Sequence, residues 1–178
     1  MLTLNDIKKR NICIMGPMGS GKSVIGKDLS TFFNLKFYDT DKEIEIKTRK
    51  SINSIFEEKG EAYFRETEEK ICVNLLKKNN CVISIGGGSI INNNIRKEIM
   101  QNSYSIYLKV KIDNLINRVK SSKKRPLLNK DENKREIFEN LYNERRRFYE
   151  QADFIVDNNN DKSQALEIIK SKFNSYAN

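Results

Sequence analysis

The chain contains neither histidine nor tryptophan among its 178 residues. The first absence removes Ser-His-Asp triads, imidazole general bases and the commonest metal ligand together, so proton transfer must fall to carboxylates or lysines. The three cysteines, Cys13, Cys72 and Cys81, form no C-x-x-C pair, and two of them stand in apolar runs where they pack as small hydrophobes. Neither a disulfide framework nor a zinc site is expected. No apolar run is long enough to cross a bilayer, and Met1 to Arg10 holds no apolar signal core. The expected location is the cytoplasm, with no membrane partner.

Hydrophobic residues make up 38% and charged residues 32%, which suits a globular chain, and the length suits one domain over residues 1–178 with local insertions. Lys plus Arg total 33 against 24 for Asp plus Glu, a net charge of +9. Such a balance can announce a nucleic-acid partner. Here the lysines are dispersed among Asn and Glu, so most are read as solvated faces, with a few arginines reserved for anionic small molecules. No nucleic-acid partner is expected.

The most informative stretch is Ile12 to Ser23, an apolar run that breaks at Gly16-Pro17-Met18-Gly19-Ser20-Gly21 and ends in Lys22-Ser23. It fits G-x-x-x-x-G-K-[ST], and the pattern requires a strand before it and a helix after it. Asn11 to Met15 reads as a buried strand, and Val24, Leu29, Phe32 and Phe33 as one face of an amphipathic helix. Gly16, Gly19 and Gly21 let the backbone curl with its N–H groups inward, so that a phosphate sits at the positive end of a helix. Lys22 adds a mobile charge for the β and γ phosphates and Ser23 a hydroxyl for Mg²⁺. The plainer alternative is a glycine turn between a strand and a helix.

Leu35 to Tyr38 reads as a second strand that stops at Asp39-Thr40-Asp41. Two aspartates one apart on an extended tip project to the same side, one for a Mg²⁺-bound water and one for a substrate hydroxyl. Either could instead cap the helix that follows. Helical pattern runs from Lys42 to Lys78, broken near Arg49-Lys50-Ser51 and at Gly60, with Arg65 and Glu68 three apart on one face. Cys81 to Ile85 is a buried strand that runs into Gly86-Gly87-Gly88, where a ligand can lie against bare backbone. That strand lacks the terminal aspartate of a Walker B element, which makes Asp39 the candidate metal-directing carboxylate.

Further along, a helix is expected over Asn93 to Met100, a strand over Tyr104 to Leu108 and a helix over Lys111 to Lys120, which carries Arg118. The basic segment from Ser121 to Lys130, with Arg125-Pro126, reads as a lid able to exclude water from a transfer reaction, or else as a solvated loop. From Asp131 to Gln151, Ile137, Leu141, Arg145, Phe148 and Tyr149 share helical spacing, and one of Arg145-Arg146-Arg147 is expected to face a cleft. Ala152 to Val156 is a fifth strand and Ser163 to Phe173 a closing helix. Alternating strands and helices imply a parallel three-layer α/β/α sandwich.

In order along the chain, Gly16 to Ser23, Asp39-Thr40-Asp41, Phe64-Arg65 with Glu68, Gly86 to Gly88, Arg125 to Leu128, and Arg145 with Phe148-Tyr149 together resemble the shikimate kinase family from end to end. The resemblance implies a five-stranded parallel sheet in order 2-3-1-4-5, a substrate-binding insertion over about residues 41–69 and a lid over about 121–130. It also implies transfer of the γ-phosphoryl group of ATP to the 3-hydroxyl of shikimate, with one Mg²⁺ per subunit, in a monomer. Carried over by position, the ATP site comprises Gly19, Ser20, Gly21, Lys22, Ser23, Val24, Arg118 and Arg125. Ser23 and, through water, Asp39 serve the metal. Asp41 binds the shikimate hydroxyls and acts as base, Arg65 and Arg145 grip the carboxylate with Glu68 in support, and Gly86, Gly87 and Gly88 add backbone contacts. Lys22, Asp41 and Arg125 form the catalytic set. The chain departs from some members where they place a proline beside the adenine, since Ser163 follows an Asn-rich loop here.

Overall fold

Asn11–Met15 (β1) is buried along its whole length, and the rest of the sheet is built outward from it. The computed structural model describes residues 8–120, 134–159 and 161–175. Lys36–Asp39 (β2), Cys81–Ser84 (β3), Ser103–Lys109 (β4) and Phe154–Asp157 (β5) join β1 in one parallel sheet of order β2-β3-β1-β4-β5. This is the order that the resemblance implies. The register sets Ile12 opposite both Val82 and Tyr104, and Ile14 opposite Ser84 and Ile106.

Alternation along the central strand divides the core into two layers. Ile12 and Ile14 face one side and pack with Ile25 and Leu29 of Lys22–Phe32 (α1) and with Ala165, Ile169 and Phe173 of Lys162–Ser175 (α7). Cys13 and Met15 face the other. There they meet Cys72, Leu75 and Leu76 of Ile52–Leu76 (α3), Ile95 and Ile99 of Asn93–Asn102 (α4), and Tyr149 of Lys134–Tyr149 (α6). All three cysteines are buried free thiols, including the one that the sequence did not place in an apolar run.

Two helix faces differ from the sequence expectation. In α1 the core takes Ile25 and Leu29, while Val24 and Phe32 are 49% and 36% exposed. In α6 it takes Phe138, Tyr142 and Tyr149, while Ile137 and Leu141 are exposed. Each helix carries apolar residues on adjacent faces, and the choice belongs to the partner: α7 and the sheet meet α1, and Ile112–Lys120 (α5) offers Leu115 to Phe138 and Tyr142.

Residues 41–69 fold outside the sheet as Thr40–Thr48 (α2) and the first part of α3. Ile44, Ile55 and Phe64 give them a small core of their own. Ser51 caps α3 by accepting from Ser54 N at 3.1 Å, and Gly60 kinks that helix with φ 76° and ψ 174°. A Cβ at Gly60 would meet nothing within 4 Å, so backbone conformation, and not crowding, favours glycine there.

Candidate active site

The loop between β1 and α1 makes the first wall. Gly16, Gly19 and Gly21 have φ of 147°, 81° and 92°, values that a Cβ opposes. Gly21 is the N-cap of α1 and supplies no side-chain bond to the first turn, which also holds no acidic residue. The positive end of the helix is therefore left for an external anion. Lys22 Nζ is folded over the loop, donating to the carbonyls of Gly16 at 2.9 Å and Pro17 at 3.0 Å. Ser20 is fully buried, and Asn158 Nδ2 donates to its carbonyl at 2.8 Å. Arg118, on α5, reaches the same neighbourhood, its NH2 donating to the Asn158 and Asn159 carbonyls at 2.9 and 3.2 Å. Ser163 sits in the first turn of α7 and donates its N–H to Asp161 Oδ1 at 3.0 Å.

Beside the loop opens a cleft of about 650 Å³ that Ser23, Asp39, Asp41, Arg65, Glu68, Gly86, Gly87, Gly88 and Arg145 all line. Residues scattered from position 23 to 145 meet here because the carboxyl ends of parallel strands deliver them to one edge. Ser23 Oγ donates to Asp39 Oδ2 at 2.5 Å. Asp39 Oδ1 accepts from the N–H groups of Asp41 and Lys42 at 3.2 and 3.4 Å, so this carboxylate caps α2 and faces Ser23 at once. Asp41 is not on an extended tip. It lies in the first turn of α2, because Asp39 ends the strand as N-cap and starts the helix immediately.

Arg65 donates to Glu68 Oε2 at 2.8 Å, and Glu68 is almost wholly buried, so the pair is not a surface ornament of i,i+3 spacing. Ser89 Oγ donates to the other oxygen of Glu68 at 2.7 Å, and Glu61 contacts Arg65 from the solvent side at 3.1 Å. Partial burial works against the Arg65 charge. Bonds to Glu68 and Glu61 more than offset it, and its pKa lies above that of an ordinary guanidinium. Arg145 is half-buried while Arg146 and Arg147 are exposed, and Arg145 Nε has no hydrogen-bond partner among the described residues.

The triple glycine is crowded by the protein itself. A Cβ at Gly86 would come within 2.9 Å of Asp41 Oδ1 and 3.0 Å of Glu68 Oε1, and one at Gly88 within 2.8 Å of Arg65 NH1. A Cβ at Gly87 would lie 3.1 Å from Met18 N of the first loop. Close approach is needed here, and the first groups to use it are the charged side chains of the cleft.

A family model described as shikimate kinase matches residues 18–174. The chain belongs to the shikimate kinase family. A shikimate kinase of Buchnera aphidicola subsp. Schizaphis graminum is 42% identical over 165 residues, 91% of this chain and 95% of its own. A shikimate kinase 1 of Escherichia coli O139:H28 is 38% identical over 156 residues, 88% and 90% of the two chains. Among solved structures, shikimate kinase from Acinetobacter baumannii in complex with shikimate superposes with a TM-score of 0.86 at 30% identity, covering 94% of each chain. A deoxyadenosine kinase from M. mycoides, at 19% identity and TM-score 0.61, shares the fold alone. Membership of the shikimate kinase family makes this chain an ATP-dependent phosphotransferase that acts on an alcohol group.

Set beside the family resemblance, the structure brings Ser23, Asp39, Asp41, Arg65, Gly86 to Gly88 and Arg145 to one cleft, with Gly19, Ser20 and Gly21 on the adjoining loop and Lys22 at the start of α1. Arg118 is beside that loop and outside the cleft lining. Val24 belongs to the first turn of α1 with its side chain half-exposed. Arg125 and the lid over 121–130 lie outside the described residues. Sequence reasoning missed Phe56, whose ring stands 4.7 Å from that of Phe64 in the cleft wall, and Asn158 behind the phosphate loop. Phe56 stands eight before Phe64, and the kink at Gly60 between them interrupts the helical period that would relate the two.

Proposed function

We propose that the cleft binds shikimate beside ATP and transfers the γ-phosphoryl group to the 3-hydroxyl, giving shikimate 3-phosphate and ADP. One observation carries this reading: two arginines and an aspartate converge on one cleft that adjoins an uncapped helix N-terminus. The arginines suit a carboxylate, the aspartate suits hydroxyls, and the helix end suits phosphates.

Gly19, Ser20, Gly21, Lys22, Ser23 and the backbone of Val24 form the phosphate cradle. Lys22 leaves the Gly16 and Pro17 carbonyls, which hold it at 2.9 and 3.0 Å, to neutralise charge on the transferring group. Arg65 and Arg145 bind the acceptor carboxylate, Arg65 being held in place by Glu68. Asp41, over Gly86, aligns the acceptor hydroxyl and takes its proton, a role no histidine is present to assume. Arg118 flanks the nucleotide base at the Asn158–Asn159 connection, and Arg125 closes over the phosphates from the lid at 121–130.

A hydroxyl and a carboxylate oxygen 2.5 Å apart suit a hard cation, so Ser23 directly and Asp39 through water would hold one Mg²⁺. ATP oxygens and water would complete the coordination. Bound there, the ion would supply charge neutralisation on the β and γ phosphates. We read the chain as one domain over 1–178, monomeric and cytoplasmic, with no nucleic-acid or membrane partner. The lysines in support are paired locally, as in Lys70–Glu66 and Lys170–Glu167, and no helix is long and apolar enough to cross a membrane among the described residues.

Release of ADP on mixing ATP, Mg²⁺ and the protein, with and without shikimate, tests the reading. Release that depends on shikimate is expected. Equal release without it, or faster transfer to another hydroxy acid or a nucleoside in an acceptor panel, overturns the substrate assignment.

A further inference from the structure

The pairing of β2 with β3 ends where Asp39 stands opposite Ser84, and there β2 gives way to α2. Beyond β3 the chain still runs beside β1, since Ile85 donates its N–H to the Ile14 carbonyl at 3.2 Å. Successive N–H groups of an extended chain point to opposite sides, so that of Gly86 points back toward β2, where no strand backbone remains to receive it. A side chain takes the place of the ladder. Thr40 Oγ1 accepts from Gly86 N at 2.9 Å, and both residues are buried. Without that oxygen the Gly86 N–H would be a buried donor with no acceptor.

Thr40 is the first residue of α2 and Asp41 the second. The two converge on one glycine: Thr40 takes its N–H, while Asp41 Oδ1 lies where a Cβ on Gly86 would come within 2.9 Å. Gly86 in turn opens the glycine turn that lines the cleft. The cap from Asp39 to the N–H groups of Asp41 and Lys42 shapes the start of α2, but those bonds join neighbours in sequence. The bond from Gly86 to Thr40 spans 46 positions and fixes where that helix start stands against the turn.

We propose that Thr40 is a positioning residue for phosphoryl transfer: its hydroxyl pins the start of α2 to Gly86 and so holds the Asp41 carboxylate in register with the glycine turn that borders the acceptor. The inference rests on the reading of Asp41 as the group that aligns the acceptor hydroxyl and takes its proton. Thr48 supplies a control from the far end of the same helix, where its hydroxyl donates to the Ile44 carbonyl at 2.8 Å.

The test uses the full chain and steady-state kinetics with shikimate and ATP varied separately, below the melting temperature of every variant. Absence of shikimate-dependent turnover in the wild type overturns the functional reading and this inference with it, whereas failure in the variants alone overturns only the inference. Thr40→Val keeps the branched shape and removes the oxygen. The expected result is a kcat lowered roughly tenfold to a hundredfold, the size of a small misplacement of a reacting group, with the ATP KM within about twofold. Thr40→Ser restores an acceptor and should stay within about threefold of the wild-type kcat. Thr48→Val should leave kcat unchanged. In an Asp41→Asn background, Thr40→Val should add less than about twofold, because the two act as a unit. A role confined to stability would lower the melting temperature and leave kcat alone. An unchanged kcat in Thr40→Val, an equal loss in Thr40→Ser, or full additivity with Asp41→Asn overturns the proposal. If the valine variant does not fold, Thr40→Cys offers a thiol of similar size that accepts weakly. A kcat at least about threefold below that of Thr40→Ser then supports the proposal, and a smaller difference overturns it.

Discussion

The hydroxyl of Ser23 and the carboxylate of Asp39 meet at 2.5 Å, joining the first turn of the phosphate-loop helix to the tip of the edge strand 16 positions away. Asp39 spends its second oxygen on the N-cap of α2, whose first turn carries Asp41. One aspartate therefore places the other, and the two can be separated by experiment.

Asp39→Asn keeps a good N-cap, so stability should change by less than about 0.5 kcal/mol. What it loses is charge beside Ser23. The Mg²⁺ concentration needed for activity should rise, and excess metal should restore part of the rate. Asp41→Asn should instead lower kcat by a factor on the order of 10²–10⁴ that added Mg²⁺ does not repair, since the acceptor proton loses its destination. Metal titrations of the two variants check this, and Mg²⁺ rescue of Asp41→Asn would reverse the roles.

Lys22→Met should abolish turnover while leaving the melting temperature nearly unchanged. Its Nζ bonds two loop carbonyls that solvent or nucleotide can reach, so the fold loses little, whereas the transferring phosphoryl group loses a preorganised charge. A folded variant that retains a tenth of the activity would remove Lys22 from the mechanism.

Arg65→Ala and Arg145→Ala should each weaken shikimate binding by ~2–3 kcal/mol with ATP binding nearly unchanged, as read by calorimetry with each ligand. Their stability effects should differ. Arg65 leaves behind a carboxylate, Glu68, whose side chain is 4% exposed, and its removal should also cost about 1–2 kcal/mol of folding stability, discounted because Arg65 itself is 37% exposed. Arg146→Ala and Arg147→Ala alter exposed side chains and should leave shikimate binding alone.

The three thiols make a pH prediction. Burial raises the pKa of Cys13 and Cys72 above the ordinary value of 9.0, and that of Cys81 to about 11. A raised folded pKa means that the native state holds its proton while the unfolded chain releases it. This stability is fully present below about pH 9 and, for Cys81, is lost as pH rises through about 11. Denaturant midpoints measured from pH 8 to 11 should fall, more steeply than in a Cys81→Ala variant. At pH 8 a thiol reagent should titrate three cysteines only after unfolding. Fast labelling of the native protein would contradict the burial.

The sequence by itself determined the strands, the phosphate loop and the order of the elements, because these are local. An apolar run of four that breaks at glycine, or an aspartate that ends a strand, carries its meaning within a few residues. It also named most of the cleft, since Asp41, Arg65, Gly86 to Gly88 and Arg145 form an ordered set of chemical types. Tertiary structure alone decided which of two apolar faces each helix buries. Ile25 and Leu29 go inward and Val24 and Phe32 stay out because α7 and the sheet lie on one side of α1, a fact no spacing in α1 contains. It also decided what the glycines serve. Gly86 and Gly88 accommodate Asp41, Glu68 and Arg65 from helices 18 to 45 positions away, and Tyr149 reaches Gly87 across 62. Those contacts exist only once parallel strands have delivered their carboxyl ends to one edge, where backbone without a Cβ is the only surface close enough to share.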